Sequence, residues 1–211
     1  MYEKSEERIN LPVLAEETWA RSHVYALLAQ VFRAEPDEGL IRHLQSPEVR
    51  AALDTHGKQL ASFLEQDGME QTLATLAEEY ARLFLGPGPH ISLHESVLVP
   101  GGGLLRGKEM TAVKAFMADA GFVLPENTKM LPDHLSVELE FMAHLCAEEA
   151  QAWLSGDDVR ARNARAWQVD FLATHLGQWA DIVKDRLDAS HPSPFYAVFA
   201  ALLCWAYSKI K

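Results

Sequence analysis

The sequence predicts an all-α fold, a single irregular helical bundle of about eight to ten helices with a long central Gly/Pro loop. Three observations lead there. Apolar residues recur at three- and four-residue spacing through most of the 211 residues, the repeat of one helical face. No set of alternating strand segments competes with that pattern. The punctuation is that of helices: Ser46-Pro47 is a start signal, and Gly121 and Gly156 stand where helices stop.

Taken in order, the first helix spans about Glu16 to Arg33, with Leu27, Leu28 and Val31 inward, and Pro36 interrupts it. Short helices are expected over Asp37 to Gln45, Pro47 to Asp54 and Lys58 to Glu65. A longer one covers Glu70 to Leu85, with Leu76, Tyr80, Leu83 and Phe84 on one face. From Gly86 to Gly107, Gly-Pro-Gly-Pro and Pro-Gly-Gly-Gly flank a short strand-like run, Glu95 to Val99, and no helix is expected. A loop of about twenty residues is uncommon inside one domain and usually functional. Residues 86–107 are therefore a candidate hinge within a single domain, 1–211. Helices return over Lys108 to Ala120, His134 to Leu154, Val159 to His175, Leu176 to Ala189 and Phe195 to Ile210.

Composition narrows the function classes. A net charge of −11 argues against a nucleic-acid partner, which needs clustered Lys and Arg. The longest apolar run, Phe195 to Tyr207, has thirteen residues, short of the ~20 that a membrane span requires. Met1 to Asn10 is polar and charged, with no apolar signal region. A cytoplasmic protein is expected. Cys146 and Cys204 lie far apart, each within an apolar helical pattern, and read as reduced, buried small hydrophobes.

Chemistry-bearing residue types concentrate at Leu131-Pro132-Asp133-His134, followed by Glu138 and Glu140. Asp133 is the expected cap of the helix that follows, with Glu138 adding negative charge to its first turn. The enzymatic alternative makes His134 a general base oriented by Asp133. Nine histidines raise a metal site. However, His90 and His94 lie in a Gly/Pro loop, and no Glu-x-x-His pair occurs. Gly102 to Lys108 nearly fits a phosphate-binding loop, but Glu109 stands where Ser or Thr would hold magnesium; a weak nucleotide contact stays open. There is no Gly-x-Ser-x-Gly, and neither cysteine has an activating neighbourhood. The remaining reading is a peptide groove: Tyr80, Leu83 and Phe84 end one helix, and Asp133 and His134 open another. If those ends meet, they form an apolar pocket with an acidic rim.

Five stretches carry a family resemblance. They are Glu79-Tyr80-x-x-Leu83-Phe84-x-Gly86-Pro87-Gly88, Glu95-Ser96-Val97, Leu131-Pro132-Asp133-His134-Leu135-x-x-Glu138-Leu139-Glu140-Phe141-Met142, His175-Leu176-x-x-Trp179 and Pro194-Phe195-Tyr196. In this order they resemble the TorD/DmsD/NarJ superfamily of redox-enzyme maturation chaperones, most closely its TorD-like branch. The resemblance implies an all-helical cytoplasmic chaperone without enzymatic activity or a cofactor of its own. It implies binding to the twin-arginine signal peptide of a molybdopterin oxidoreductase, and often to the mature part, until cofactor is inserted. Weak GTP binding and a monomer or domain-swapped dimer belong to the same implication. In the DmsD-like branch the region matching Leu83, Phe84, Asp133 and His134 is implicated in peptide binding, and the candidate peptide-binding residues here are Tyr80, Leu83, Phe84, Gly86, Pro87, Glu95, Ser96, Pro132, Asp133, His134, Glu138 and Glu140. On this reading the carboxylates meet the arginines. The apolar residues, with Ile91, Leu93 and Leu98, meet the apolar stretch, and the long loop acts as a moving gate. In place of the Trp-rich sequence of the DmsD-like branch, the loop has Pro89-His90-Ile91-Ser92-Leu93-His94.

Overall fold

The computed structural model describes residues 11–86, 88–125, 127–208 and 210, with Asp54, Thr55 and His56 described by backbone alone. The polar segment Met1 to Asn10 lies outside the described residues. The elements are α1 (Leu11–Arg33), α2 (Glu38–Leu44), α3 (Pro47–Ala52), α4 (Asp54–Leu64), α5 (Met69–Tyr80) and α6 (Glu95–Leu98). They continue with α7 (Lys108–Asp119), α8 (Leu135–Ser155), α9 (Asp158–Thr174), α10 (Ala180–Ala189) and α11 (Pro194–Ser208). Among the described residues there is no strand, only an isolated antiparallel bridge between His94 and His134. The all-α bundle is the fold observed.

Local chemistry accounts for several ends. The Ser46 hydroxyl accepts from the Val49 N–H, and Pro47 occupies the first turn of α3. Asp37 caps α2 by accepting from the Leu40 N–H at 2.8 Å. Gly156 closes α8 at φ +72°, a left-handed conformation that costs a glycine little.

The bundle is built on α1 against α8. Arg21 pairs with Glu149 at 2.8 Å, the Ser22 hydroxyl donates to the Ala143 carbonyl at 2.8 Å, and Arg33 pairs with Glu140. Rising numbers on one helix meet falling numbers on the other, so the pair is antiparallel. α9 lies along α8, and Gln168 donates to the Leu145 carbonyl at 3.3 Å and to Glu149 at 2.8 Å. α11 reaches α1 through the Tyr25 hydroxyl, which donates to the Ala206 carbonyl at 3.1 Å. Phe141, Phe171, Phe195 and Phe199 are fully buried between these layers, each contributing roughly 1.5–3 kcal/mol of burial free energy.

Four expectations are corrected. The run Glu95 to Val99 is not extended: Glu95–Leu98 is a short helical turn inside the central loop. The helix expected over Glu70 to Leu85 ends at Tyr80 and widens into a π-helical turn, Ala81–Leu85. The helix expected from Leu176 divides, because Leu176–Gln178 forms a 3₁₀ turn before α10. Both cysteines are free, but only Cys146 is buried; Cys204 is half-exposed beside Asp181 and Tyr207.

Candidate functional site

The π-helical turn at the end of α5 positions the first motif. It turns Leu83 and Phe84 into the core, where the Phe84 ring meets Tyr80 at 5.0 Å, Tyr196 at 5.5 Å and Phe32 at 6.2 Å. Gly86 ends the turn in an extended conformation; Pro87 lies outside the described residues. The Leu83 carbonyl accepts the Ile91 N–H at 2.7 Å, so the chain beyond the turn is tied back to it. Ile91, Leu93 and Leu98 are buried in the same core.

The central loop then docks on the second motif. The Leu135 N–H donates to the Leu93 carbonyl at 2.8 Å, and the Glu95 N–H donates to the Asp133 carbonyl at 2.9 Å. The His94 and His134 rings meet edge to face, 4.9 Å between centroids. The central loop thus links the two motif regions, bonded to Leu83 through Ile91 and to the Asp133-His134 end through residues 93–95. The carboxylates of Glu95, Asp133 and Glu138 lie inside the protein instead of lining the rim of an open pocket.

Asp133 has no exposed surface. It does not cap α8, which corrects the sequence reading. His134 is the cap: its Nδ1 accepts the Ser136 N–H at 3.1 Å, with the Ser136 hydroxyl at 2.9 Å. Asp133 is turned instead toward the central loop, which leaves the capping position to His134. The Asp133 carboxylate accepts the Ser96 N–H at 3.2 Å and stands 3.5 Å from His94 Nδ1. Burial pushes its carboxyl up, but the bonds from His94 and Ser96 outweigh that and hold it below the usual range. His134 is driven down to about 3, first by burial and then by His94. A base oriented by Asp133 is therefore not formed: Asp133 is committed to His94 and Ser96, and His134 is a neutral helix cap.

Behind this pair lies a carboxyl cluster. Both Glu95 oxygens are 3.2 Å from His175 Nδ1. Glu138 is fully buried and accepts the Trp179 indole N–H at 3.1 Å. Burial, then the neighbouring Glu95, raise the Glu138 carboxyl well above the usual range, and the indole bond offsets only part of this. Glu138 is thus held between α6, α8 and the 3₁₀ turn in surroundings that favour its neutral form. Ser96 is buried as well. Glu140 is separated from the cluster, on the outer face of α8, paired with Arg33. Among the described residues no group of three or more His, Cys, Asp or Glu side chains is placed to hold a metal ion.

Neither His94, weighed only as a metal-ligand candidate, nor His175 and Trp179, which belong to a quoted stretch, are among the peptide-binding residues marked by sequence. Their four-residue spacing gave the only signal, and it is disguised by the 3₁₀ turn between them. Exposed apolar side chains flank the cluster in sequence: Leu85 at 63%, Leu104 at 79% and Leu105 at 58%.

The sequence profile of a family described as the nitrate reductase delta subunit matches residues 46–184. That range holds the whole buried cluster. The chain is 28% identical over 193 residues to the chaperone protein TorD of Vibrio cholerae serotype O1 (strain M66-2), covering 86% of each chain. It is 31% identical over 198 residues to the perchlorate reductase assembly chaperone protein of Dechloromonas aromatica (strain RCB), covering 89% of this chain and 86% of that one. It is 36% identical over 121 residues to the selenate reductase assembly chaperone protein of Thauera selenatis, covering 56% and 61%. By the extent of the profile match and the near full-length likeness to these chaperones, the chain belongs to the nitrate reductase delta subunit family, the TorD/NarJ family of redox-enzyme maturation chaperones.

Proposed function

We propose that this protein is a cytoplasmic, system-specific assembly chaperone for the catalytic subunit of a molybdopterin oxidoreductase. It binds the client's twin-arginine signal peptide, its mature part or both, and holds it back from export while the cofactor is inserted. The observation that carries this reading is the near full-length likeness to a relative named for reductase assembly. Two features support it. Asp133 is engaged away from His134, which removes the orienting half of the rival acid–base pair. No helix among the described residues is long and apolar enough to cross a membrane.

In this role the buried motif residues shape the surface and do not themselves grip the client. Glu95, Ser96, Asp133, His134 and Glu138 lock the central loop to α8 and the 3₁₀ turn. The locked loop presents Leu85, Leu104 and Leu105 to solvent, and apolar groups exposed in this way mark contact surfaces. The chaperone acts as a monomer or a domain-swapped dimer and has no cofactor of its own. GTP contact at the glycine-rich 101–107 segment is weak, and a thermal melt with millimolar GTP tests it: an unchanged midpoint removes that contact.

Affinity capture of the tagged chain from its own host, with the bound proteins identified by mass spectrometry, tests the function. A molybdopterin oxidoreductase subunit carrying its signal peptide is the expected partner. Capture without any oxidoreductase overturns the proposal.

A further inference from the structure

Glu95 and Glu138 come from different elements and meet inside the protein. Glu95 opens α6 in the central loop, and Glu138 stands in the first turn of α8. Both side chains are buried, with their carboxyls within hydrogen-bond reach of each other. His175 Nδ1, at the end of α9, is 3.2 Å from both Glu95 oxygens, and the Trp179 indole N–H donates to Glu138 Oε2 at 3.1 Å. Glu138 Oε1 is buried and has no N–H or hydroxyl donor among the described residues. Two ionised carboxylates would repel strongly in so dry a place. One proton between them removes the repulsion and supplies the donor that Oε1 lacks.

The pair sits at the root of the segment that carries the exposed leucines. The Gly103 N–H donates to the Ser96 carbonyl at 2.9 Å, and the Gly102 N–H donates to the Val99 carbonyl at 2.9 Å. A Cβ on Gly102 would stand 2.5 Å from the Ser96 carbonyl oxygen, so the chain folds back onto α6 as closely as a glycine permits. Leu104 and Leu105 follow directly, and moving Glu95 away from Glu138 therefore moves them. The titratable and charged groups packed around the pair are Asp133 and His134 at the start of α8, His94 before α6 and His175 after α9. From α7, Glu109 approaches the loop at Gly107, and Arg33 of α1 is engaged by Glu140. Asp133 adds a negative charge that opposes ionisation of Glu138.

We propose that a proton shared by Glu95 and Glu138 latches the central loop to α8, and that rising pH removes it and releases the loop. Its loss leaves two negative charges in contact beside Asp133, so α6 withdraws and carries Leu104 and Leu105 with it. The direction of the Glu138 shift agrees: a carboxyl raised by burial and by Glu95 holds the closed loop at low pH and loses that hold as pH rises through its folded value. The latch stands on the geometry of the pair. Its consequence rests on the chaperone reading: a withdrawn loop no longer presents its leucines in place, and the client is held less tightly in alkaline buffer.

Hydrogen exchange on the full chain tests it, following the amides of residues 95–107 from neutral to alkaline buffer, with each rate divided by its intrinsic chemical rate. Loop protection is expected to fall with pH, by up to about tenfold per pH unit for a one-proton release, while the middle of α8 keeps its protection. Glu138→Gln accepts from Trp179 and donates to Glu95 without a proton to lose, so its loop protection should stay level. Glu95→Gln places the same neutral donor on the other side, should behave alike, and serves where the first variant folds poorly. Wild-type loop protection that is level with pH, or that falls equally in a folded glutamine variant, overturns the latch. Capture of the oxidoreductase across the same buffers separates the two readings. A loop that opens while the client is held equally throughout overturns the consequence for the client. Capture of no oxidoreductase at any pH refutes the chaperone function, and the exchange result still decides the latch.

Discussion

The Asp133 carboxylate accepts the backbone N–H of Ser96 across 37 residues of sequence, at 3.2 Å and fully inside the protein. This bond fastens the central loop to the start of α8 and places the loop's outer face. Asp133→Ala leaves the buried Ser96 N–H without its acceptor, and the expected cost is about 1–3 kcal/mol in urea unfolding. The net lowering of the Asp133 carboxyl fixes the sign with pH. Its contribution is present above the free value of 3.8 and lost as pH falls below it. A variant as stable as the wild type would remove Asp133 from the lock.

His134 titrates in the opposite chemical sense with the same consequence. Its imidazole is held down to about 3 from 6.5, so its contribution is present above 6.5 and declines as pH falls toward 3. His134→Asn retains an N-cap acceptor and cannot charge. Its unfolding free energy should therefore fall less steeply than the wild type's between those values. Parallel curves would mean that His134 is not buried neutral.

Glu138 acts in the opposite direction, on raising the pH. Its carboxyl is raised by burial and by Glu95, so its contribution is full below 4.5 and is lost as pH rises through the folded value. Glu138→Gln keeps an acceptor for the Trp179 indole and cannot ionise. The variant should hold its stability on raising the pH where the wild type loses some, as measured by thermal midpoint across a buffer series.

Glu149 is the polar centre of the α1, α8 and α9 packing, meeting Arg21, Gln168 and Trp153. Glu149→Ala strands the largely buried Arg21, with an expected cost of about 3–5 kcal/mol. Glu149→Gln should recover part of it by retaining the bonds from Gln168 and Trp153. A small loss in the alanine variant would show that Arg21 finds water instead.

The exposed leucines carry the client in the proposed function. Leu104→Ser with Leu105→Ser removes apolar surface that makes no part of the core. Thermal stability should be unchanged within about 0.5 kcal/mol, while capture of the oxidoreductase should drop severalfold. Unchanged capture would move the client surface elsewhere.

Legibility differed between fold and site for physical reasons. Helix ends with local causes could be read directly: Ser46-Pro47 opens α3, and Gly156 closes α8. The π-helical turn at Ala81–Leu85 is invisible to periodicity, since its residues continue the apolar stripe of α5 while widening by one residue per turn. Glu95–Leu98 was read as extended because Val97 and Val99 favour strands locally. Tertiary bonds from the Glu95 and Ser96 N–H groups to Asp133 fix its first turn instead. The motif residues were found by their types and order, but their burial was not. Asp133 and Glu138 are ionisable side chains of the kind usually found at the surface, and only their long-range partners Ser96 and Trp179 show that they face inward.

The most direct test of the assembly role is the molybdenum content of the captured oxidoreductase, purified from its host with and without this chain. The expected result is a severalfold lower molybdenum-to-protein ratio without the chain, restored when the gene is returned. An oxidoreductase equally loaded in both strains would contradict it.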